Sequence, residues 1–323
     1  MKTGARAVDR VTDRMVNRVV ALDTSVRSTG VALIESGQVV AETWIGPGHS
    51  SAASLLPALD GLLDVAGWSR DSVDAVGVVV GPGSFTGLRI GVTTAKALAY
   101  SWQVPVIGVT GLEALAMQAV QVAAAWQMAT GTTVGATAGA TGQSKAWQAS
   151  DGGAGNENSD EPQAVLIVPV IPSRRGECYL QVFALPTAFA PPAQPAPPPD
   201  YPQPLGEPQV VSHDEWAAGG WLNFGSRQRS EPLPVILAGA ASLTGELVRR
   251  WETPSIRLYP VDLTIRPGIV GKMALARATG RLLGGVGEVT PKNAMELIPL
   301  YLGRREGERV WPPSQRLALP QSR

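Results

Sequence analysis

A glycine-rich run, GPGSFTGLRIG at residues 81–91, constrains the fold of this chain more than any other stretch. It follows an apolar, strand-like segment at residues 76–80 and leads into a helix-like segment at residues 88–102. Such a turn places free backbone N–H groups at the positive end of a helix dipole, where anions commonly bind. The run nevertheless has no Walker lysine, and its glycines at 81, 83 and 87 miss the dinucleotide-binding spacing by one residue. The pattern therefore predicts a tight turn with close backbone approach, and it supplies no acid, base or nucleophile.

The composition excludes several classes of protein. The 323 residues leave room for one large core or two modest ones, and basic and acidic side chains balance at 27 each, which gives no reason to expect strong nucleic-acid binding. No apolar stretch approaches the ~18 residues that a membrane helix needs. The single cysteine, Cys178, rules out an internal disulfide framework, and two histidines, His49 and His213, exclude a histidine-rich metal site. We therefore expect a cytoplasmic protein without a metal or cofactor.

The amino-terminal segment, residues 1–17, has a charge pattern of its own. Arginines at 6, 10, 14 and 18 recur at helical spacing with aspartates at 9 and 13 between them. One interpretation is a basic helical face that contacts nucleic acid or a partner. The simpler interpretations are a disordered extension, or a chain whose translation starts at Met15 instead of Met1. We favour the simpler interpretations, and the sequence does not choose between the two start positions.

The next part of the chain, residues 18–126, has the pattern of one α/β lobe. Leucines and an alanine recur at helical spacing between residues 55 and 66, which indicates a helix with one buried stripe. The apolar run at residues 73–80 is typical of an interior strand. The predicted strands are 18–23, 30–34, 38–44, 73–80 and 104–109, and the predicted helices are 50–66, 86–102 and 112–126.

Composition changes twice in the second half of the chain. Residues 127–163 are a low-complexity insertion rich in Gly, Ala, Thr and Ser, and ten prolines lie between residues 186 and 208. We predict that the proline-rich insertion, about residues 186–233, lies outside the core, and that residues 304–323 form a tail. The predicted strands are 164–170, 177–185, 234–238 and 256–259, and the predicted helices are 242–251, with Ser242 as its N-cap, and 267–283.

Each half therefore begins with hairpin-like strands and continues with alternating strands and helices. This duplication resembles the actin-like ATPase (ASKHA) architecture, in which two related lobes each contain a mixed sheet flanked by helices. The predicted lobes are residues 18–126 and 164–303.

Three consecutive residues, Asp23, Thr24 and Ser25, are the candidate nucleotide site. In actin-like ATPases the hairpin after the first strand places an aspartate near the metal and small hydroxyls near the phosphate. The alternative is a turn in which these side chains satisfy local backbone groups. A second phosphate loop should also be present, but its nearest counterpart, residues 237–241, has only one glycine.

Other reactive side chains point to structural roles. His49 has no partner at i+4, which favours a capping or surface position. Ser84 lies outside any Gly-x-Ser-x-Gly motif, and Cys178 is interpreted as a small hydrophobe. Arg89, just inside a helix start, pairs with an acid or contacts a partner. A serine or cysteine hydrolase is therefore improbable.

Four sequence blocks resemble the TsaB (YeaZ) family. They are VVALDTSVRSTGVALIESGQVVAE, GHSSAASLLPALDGLLDVAG, VDAVGVVVGPGSFTGLRIGVTTAKALA and VPVIGVTGLEALA, which together span about residues 18–117. SRRGECYLQVF at 173–183 and ELIPLYLG at 296–303 continue the resemblance more weakly. It does not extend to the terminal extensions or the insertions.

The resemblance implies a non-catalytic dimerisation subunit. In that family's pathway the catalytic paralogue, TsaD, transfers a threonylcarbamoyl group to adenosine 37 of tRNAs that read codons starting with A, using a metal held partly by two histidines four residues apart on a helix. The corresponding helix here, residues 50–66, contains no histidine. The implied partners are TsaD and, with it, the ATPase subunit TsaE, while tRNA is met only through the complex. Self-association without TsaD stays open.

The resemblance also implies that the helices at residues 50–66 and 86–102 form the partner interface, with Phe85 and Leu88 as anchors. The alternative is that both side chains fill this chain's own core. The predicted interface residues are Leu55, Leu59, Phe85, Leu88, Arg89, Gly91, Val92 and Ala95.

Two enzymatic alternatives fit the sequence less well. An actin-like ATPase or phosphotransferase would use Asp23 and the glycine loop at residues 81–87, but it requires a second glycine loop and a carboxylate in the carboxyl-terminal half that are not evident. A peptidase lacks both a nucleophile–base pair and a zinc motif. The sequence therefore favours the scaffold.

Overall fold

The computed structural model describes residues 15–26, 28–130, 166–173, 176–184, 201–212, 214, 233–251, 256–282, 288–289 and 296–302. Several features of the sequence analysis lie outside these residues, namely the predicted tail, His213, most of the amino-terminal extension and nearly all of the low-complexity insertion. Two β-sheets organise the described part of the chain. No helix within it is both long and apolar enough to cross a bilayer.

The first sheet combines an antiparallel meander with parallel strands. Its order is β13-β5-β4-β1-β2-β3, in which β1 pairs antiparallel with β2 and parallel with β4. The central strands are buried along nearly their whole length, as their apolar runs predict. The strands are β1 Arg18–Asp23, β2 Thr29–Glu35, β3 Gln38–Ile45, β4 Ala75–Gly81, β5 Val106–Thr110 and β13 Glu288–Val289.

Helices cover both faces of this sheet. Helices α1 (Ser51–Ala66) and α2 (Phe85–Trp102) pack on one face, where the leucine stripe of α1 meets the alternate strand residues typified by Leu22 and Leu33. Helices α3 (Gly111–Thr130) and α5 (Pro267–Ala278) pack on the other. Because strand side chains alternate, each face contributes to a separate cluster.

The second sheet repeats the first. Its order, β10-β7-β6-β11-β12, matches β3-β2-β1-β4-β5 strand for strand, so the predicted duplication is confirmed. Helix α4 (Ala241–Trp251) covers the outer face, and α3 contributes to the core beneath the inner face. The strands are β6 Leu166–Pro172, β7 Glu177–Leu180, β8 Phe183–Ala184, β9 Gln203–Pro204, β10 Gln209–Ser212, β11 Leu233–Gly239 and β12 Ile256–Asp262.

Part of the predicted proline-rich insertion belongs to the fold. Strands β9 and β10 lie within it, and β10 pairs with β7 to complete the second sheet. Tyr201 is only 8% exposed and joins the core between the sheets. The prediction that all of residues 186–233 lies outside the core is therefore wrong for residues 201–212, because β9 and β10 pair with strands of the second sheet even though prolines lie in and between them.

Several element boundaries also differ from the predictions, among them three in the second half of the chain. The strand predicted at residues 177–185 is interrupted at 181–182, and the helix predicted to reach residue 283 ends at Ala278. Ser242 lies inside the first turn of α4 and is not its N-cap, because Ala241 already begins the helix.

Helix α5 packs against the first sheet although its sequence position falls in the predicted second lobe. There it shares a layer between the two sheets with α3. A buried ion pair joins the two helices, with Arg277 Nη2 2.8 Å from Glu113 Oε1, and Arg277 Nη1 donates to the Gly108 carbonyl at 2.6 Å. The lobes are thus interlocked through a common helical layer. The lobe boundaries at residues 126 and 164 stay predictions.

Candidate functional site

The glycine loop between β4 and α2 packs directly on the hairpin turn after β1. The Ser84 amide donates to the Ser25 carbonyl at 2.7 Å, and Thr24 Oγ1 donates to the Gly87 carbonyl at 2.6 Å. A Cβ atom at Gly83 would collide with the Ser25 carbonyl, and one at Gly87 would collide with the Thr24 carbonyl. The glycines therefore permit contact between two backbone segments, as the predicted close approach requires.

Asp23 lies inside this contact and is only 1% exposed. Its Oδ1 accepts hydrogen bonds from the Ser25 amide at 2.8 Å and the Ser25 hydroxyl at 2.6 Å. Burial raises the pKa of the Asp23 carboxyl from 3.8 to about 6, against the two Ser25 hydrogen bonds that lower it. The Asp23 carboxylate thus stabilises the turn after β1 by accepting hydrogen bonds within it. A turn of this kind is the alternative to a nucleotide site at Asp23, Thr24 and Ser25.

The equivalent turn of the second sheet, between β11 and α4, is closed by a carboxylate. Asp262, at the end of β12, accepts the first amide of α4, that of Ala241, through Oδ1 at 2.8 Å. A Cβ atom at Gly239 would come within 2.5 Å of the Val170 carbonyl, so this glycine also serves backbone packing. The negative charge of Asp262 occupies the helix end that would otherwise attract a phosphate.

A large cavity of about 1190 Å³ lies between these two turns. None of its lining residues within the described part of the chain is charged. Asp23 and Thr24 do not line it, whereas Ser25 does. The walls come from the amino-terminal lobe, the second sheet, α3 and the carboxyl-terminal segment, and they include Val26, Trp44, Phe85, Leu115, Ile171, Tyr179, Ile265 and Tyr301.

The other side chains that could take part in a reaction, His49, Cys178 and Ser84, lie where structural roles account for them. His49 is exposed and precedes the N-cap of α1, as expected of a surface residue. Cys178 is fully buried, and burial, with a smaller contribution from the Glu177 carboxylate, raises the pKa of its thiol to about 12, consistent with a small hydrophobe. Ser84 is the N-cap of α2 and accepts the Gly87 amide. No cluster of three metal-ligating side chains occurs among the residues that the structure describes.

Most of the predicted interface residues are already covered within this chain. Their side chains, or the backbone at the glycine, face the first sheet or the hairpin turn, so a partner cannot contact them directly. This part of the prediction is wrong because the apolar stripe of a helix that flanks a sheet packs on the sheet first. The buried residues are Leu55, Leu59, Leu88, Gly91, Val92 and Ala95.

Phe85 and Arg89, the other two predicted interface residues, are exposed and contact the carboxyl-terminal segment. The rings of Phe85 and Tyr301 are 5.0 Å apart, and the Arg89 guanidinium carbon lies 3.9 Å from the Phe85 ring centroid. Arg89 Nε donates to the Tyr301 hydroxyl at 3.3 Å, and the Leu300 amide donates to the Val80 carbonyl at 2.7 Å. Residues 296–302 are thereby attached to the amino-terminal lobe. A contact between Arg89 and a partner stays a prediction.

The outward face of α1 was missed by the sequence reasoning. Leu56 is 47% exposed and Val65 is 83% exposed, and on α2 the side chain of Tyr100 is 61% exposed. Asp60 and Asp64 are the only charged residues of α1. The signal was present in the sequence, because Leu56 and Val65 fall outside the stripe of buried leucines, on either side of it, at positions where a surface helix usually carries polar residues.

The match to a known family model begins in the amino-terminal lobe. The family model described as "TsaD: tRNA N6-adenosine threonylcarbamoyltransferase" matches residues 48–136. The tRNA threonylcarbamoyladenosine biosynthesis protein TsaB of Bacillus subtilis is 41% identical over 100 residues, which are 30% of this chain and 43% of that protein. Its Escherichia coli counterpart is 36% identical over 102 residues, which are 32% of this chain and 44% of that protein. The chain thus spans less than half the length of these curated relatives.

The structural similarity extends over most of the chain. YeaZ from Pseudomonas aeruginosa superimposes with a TM-score of 0.55 and 22% identity, covering 88% of this chain and 100% of that protein. Together with the duplicated strand order, this similarity confirms the predicted actin-like architecture.

Proposed function

We propose, from the premise that this chain belongs to the TsaB (YeaZ) family, that it is a non-catalytic subunit in the synthesis of threonylcarbamoyladenosine in tRNA. The relatives in Bacillus subtilis and Escherichia coli are named for this pathway. The matching family model covers residues 48–136, which carry the glycine loop and helices α1 and α2. The proposed modification is threonylcarbamoylation of adenosine 37, with the chain acting in the cytoplasm.

The observation that supports the non-catalytic role is the position of Asp23. Its carboxylate is buried, accepts hydrogen bonds from the Ser25 amide and hydroxyl, and does not line the cavity. An actin-like ATPase would need this aspartate directed toward a metal and a phosphate. The geometry therefore supports the ATPase alternative poorly.

The proposed partner is TsaD, bound through the outward faces of α1 and α2. These helices pack side by side on the first sheet, and their outer surface carries Leu56, Val65 and Tyr100. On α1 only two aspartates interrupt this apolar surface. A stable interface buries about 1,600 Å² in total, with a few apolar anchors dominating the binding energy. TsaE and tRNA are proposed to associate with the resulting complex and not with this chain alone.

Co-purification with TsaD from the same organism tests this proposal. We expect a stable complex, and we expect tRNA modification in the presence of TsaE, ATP and threonylcarbamoyl-adenylate to require the chain. Leu56→Asp combined with Val65→Asp should weaken the complex at least 100-fold, because two charges would enter a desolvated interface.

Val122→Asp is the matched control. Val122 lies on α3 and is 40% exposed, close to the 47% of Leu56, so the same kind of change is made away from α1 and α2. Equal loss of TsaD binding in both variants would reject the proposed surface. ATP turnover by the purified chain that depends on Asp23 would reject the non-catalytic role.

A further inference from the structure

We propose that the carboxyl-terminal segment at residues 296–302 forms part of the surface that binds TsaD, and that Arg89 beside it binds a carboxylate of TsaD. This inference rests on the proposed function. It adds to that function a second segment of the chain and the chemistry of one contact.

The outward side chains of α2 form one stripe along the helix. At about 100° per residue, Phe85, Arg89, Lys96 and Tyr100 fall within about 60° of one another around the helix axis, over a length of about 22 Å. Phe85, Arg89 and Tyr100 are exposed, and Lys96 is half-buried. Tyr100 already belongs to the proposed TsaD surface, so the same face of α2 continues to Arg89 and Phe85.

The carboxyl-terminal segment adds apolar surface beside the first turns of α2. Leu297 is 2% exposed and joins the hydrophobic cluster that α1 and α2 form on the first sheet. The Leu300 amide donates to the Val80 carbonyl at 2.7 Å, so the segment is fixed to this lobe at two points. Ile298 and Tyr301 remain 69% and 48% exposed. Two distant parts of the chain thus supply one region of exposed apolar side chains.

Arg89 is held in one orientation within this region. Its guanidinium carbon lies 3.9 Å from the Phe85 ring centroid, and its Nε donates to the Tyr301 hydroxyl at 3.3 Å. Neither of its Nη groups has a hydrogen-bond or ion-pair partner within the described part of the chain. An arginine fixed in this way loses little side-chain freedom on binding, and its two Nη groups match the two oxygens of a carboxylate.

The charge and the surroundings of Arg89 favour an acidic side chain of a protein. Arg89 and Lys96 are the only charged residues of α2, so the stripe is basic. A phosphate would also fit the arginine fork. Exposed Phe85, Ile298 and Tyr301 favour a protein surface instead, because aromatic residues and arginine are enriched at the centres of protein interfaces. The expected contact is an aspartate or glutamate of TsaD flanked by apolar side chains.

Charge reversal at Arg89 tests this contact. With nuclease-treated TsaD and the full chain, Arg89→Glu should weaken TsaD binding about 100-fold, because it places two carboxylates together. Arg89→Lys keeps the charge without the fork and should weaken binding about tenfold. Arg257→Glu is the matched control, since Arg257 is exposed on β12 of the second sheet and its reversal should leave the Kd unchanged.

Two further variants test the carboxyl-terminal segment. Ile298→Asp changes a side chain that is 69% exposed and should weaken TsaD binding at least tenfold without unfolding the chain. Tyr301→Phe removes only the hydroxyl that holds Arg89 Nε and should weaken binding several-fold. Because Tyr301 acts by positioning Arg89, the effect of Tyr301→Phe should disappear in an Arg89→Gln background.

Three outcomes would overturn the proposal. They are wild-type TsaD affinity in Arg89→Glu, an equal loss in Arg257→Glu, and wild-type affinity in Ile298→Asp. If Arg89→Glu loses only self-association or only RNA binding, the arginine serves a second copy of the chain or a phosphate. Arg89→Gln replaces the reversed variant if that variant does not fold.

The proposed function fails separately from this inference. If Leu56→Asp combined with Val65→Asp abolishes TsaD binding and Arg89→Glu does not, the scaffold role stands and the carboxylate contact is rejected. If the wild-type chain does not bind TsaD, the scaffold role itself is rejected.

Discussion

The turns that lead from β4 into α2 and from β11 into α4 occupy equivalent places in the two sheets, yet each helix start is satisfied by a different part of the chain. At α2 the Ser84 side chain caps the helix, and the turn after β1 packs against the glycines. At α4 the cap is the carboxylate of Asp262 from the neighbouring strand. Duplicated architecture therefore does not require duplicated chemistry, since a local serine and a carboxylate from another strand can each satisfy an amide at an equivalent helix start.

The two helix starts differ in how much they contribute to the stability of the fold. At the turn into α2, Gly87 and Leu88 are buried and Gly87 packs against the backbone of the turn after β1, whereas Asp262 lies at the surface. Changes at the first turn should therefore disturb the core, and changes at the second should affect only the end of one helix.

Leu88→Asp should produce the largest effect. Leu88 lies in the first turn of α2 and is 1% exposed, so a carboxylate there would be buried without a partner. We expect a loss of about 4 kcal/mol or more in unfolding free energy, measured by urea denaturation, and loss of soluble protein. A soluble, fully folded variant that lacks only TsaD binding would show instead that Leu88 is an interface anchor.

Gly87→Ala should cost about 3 kcal/mol, because the new Cβ would collide with the Thr24 carbonyl. Gly245→Ala in α4 is the matched control. A Cβ there meets nothing within 4 Å, so this variant should gain about 0.5–1 kcal/mol from helix propensity. Equal effects in the two variants, compared by urea denaturation, would contradict the difference between the turns.

The charge state of Asp23 should make stability depend on pH. Its folded-state pKa of about 6 exceeds the reference value of 3.8, so the folded chain holds this proton more tightly than the unfolded chain. Stability should therefore be greatest below pH ~4 and fall by at most about 3 kcal/mol as the pH rises through ~6. Asp23→Asn keeps the acceptor oxygen and should remove this component of the pH dependence. Identical pH profiles for the two proteins would show that Asp23 is not perturbed.

Asp262→Ala should have the smallest effect. Loss of the hydrogen bond to the Ala241 amide should cost about 1 kcal/mol, because the carboxylate is exposed. Asp60→Ala is the control, since its ion pair with Arg70 is exposed and should contribute close to nothing. Thermal unfolding monitored by circular dichroism would measure both. A cost at Asp262 as large as that of Gly87→Ala would mean that the second turn, too, supports the core.

The sequence by itself indicated the resemblance to the TsaB (YeaZ) family, the duplicated α/β pattern and the tight turn of the glycine loop. These features are local: hydrophobic periodicity reports which residues face a core, and glycine spacing reports where the backbone needs room. The same local signals located α1 and α2 to within two residues and identified Cys178 as a buried hydrophobe.

Only the tertiary structure decided which core each residue joins. Periodicity marked Leu88 and Val92 as apolar but did not say whether they face a sheet or a partner, because both surfaces exclude water in the same way. The pairing of β10 with β7, the position of α5 on the first sheet and the Asp262 cap all join residues far apart in the chain. Their geometry depends on how the layers stack, and no local pattern encodes it.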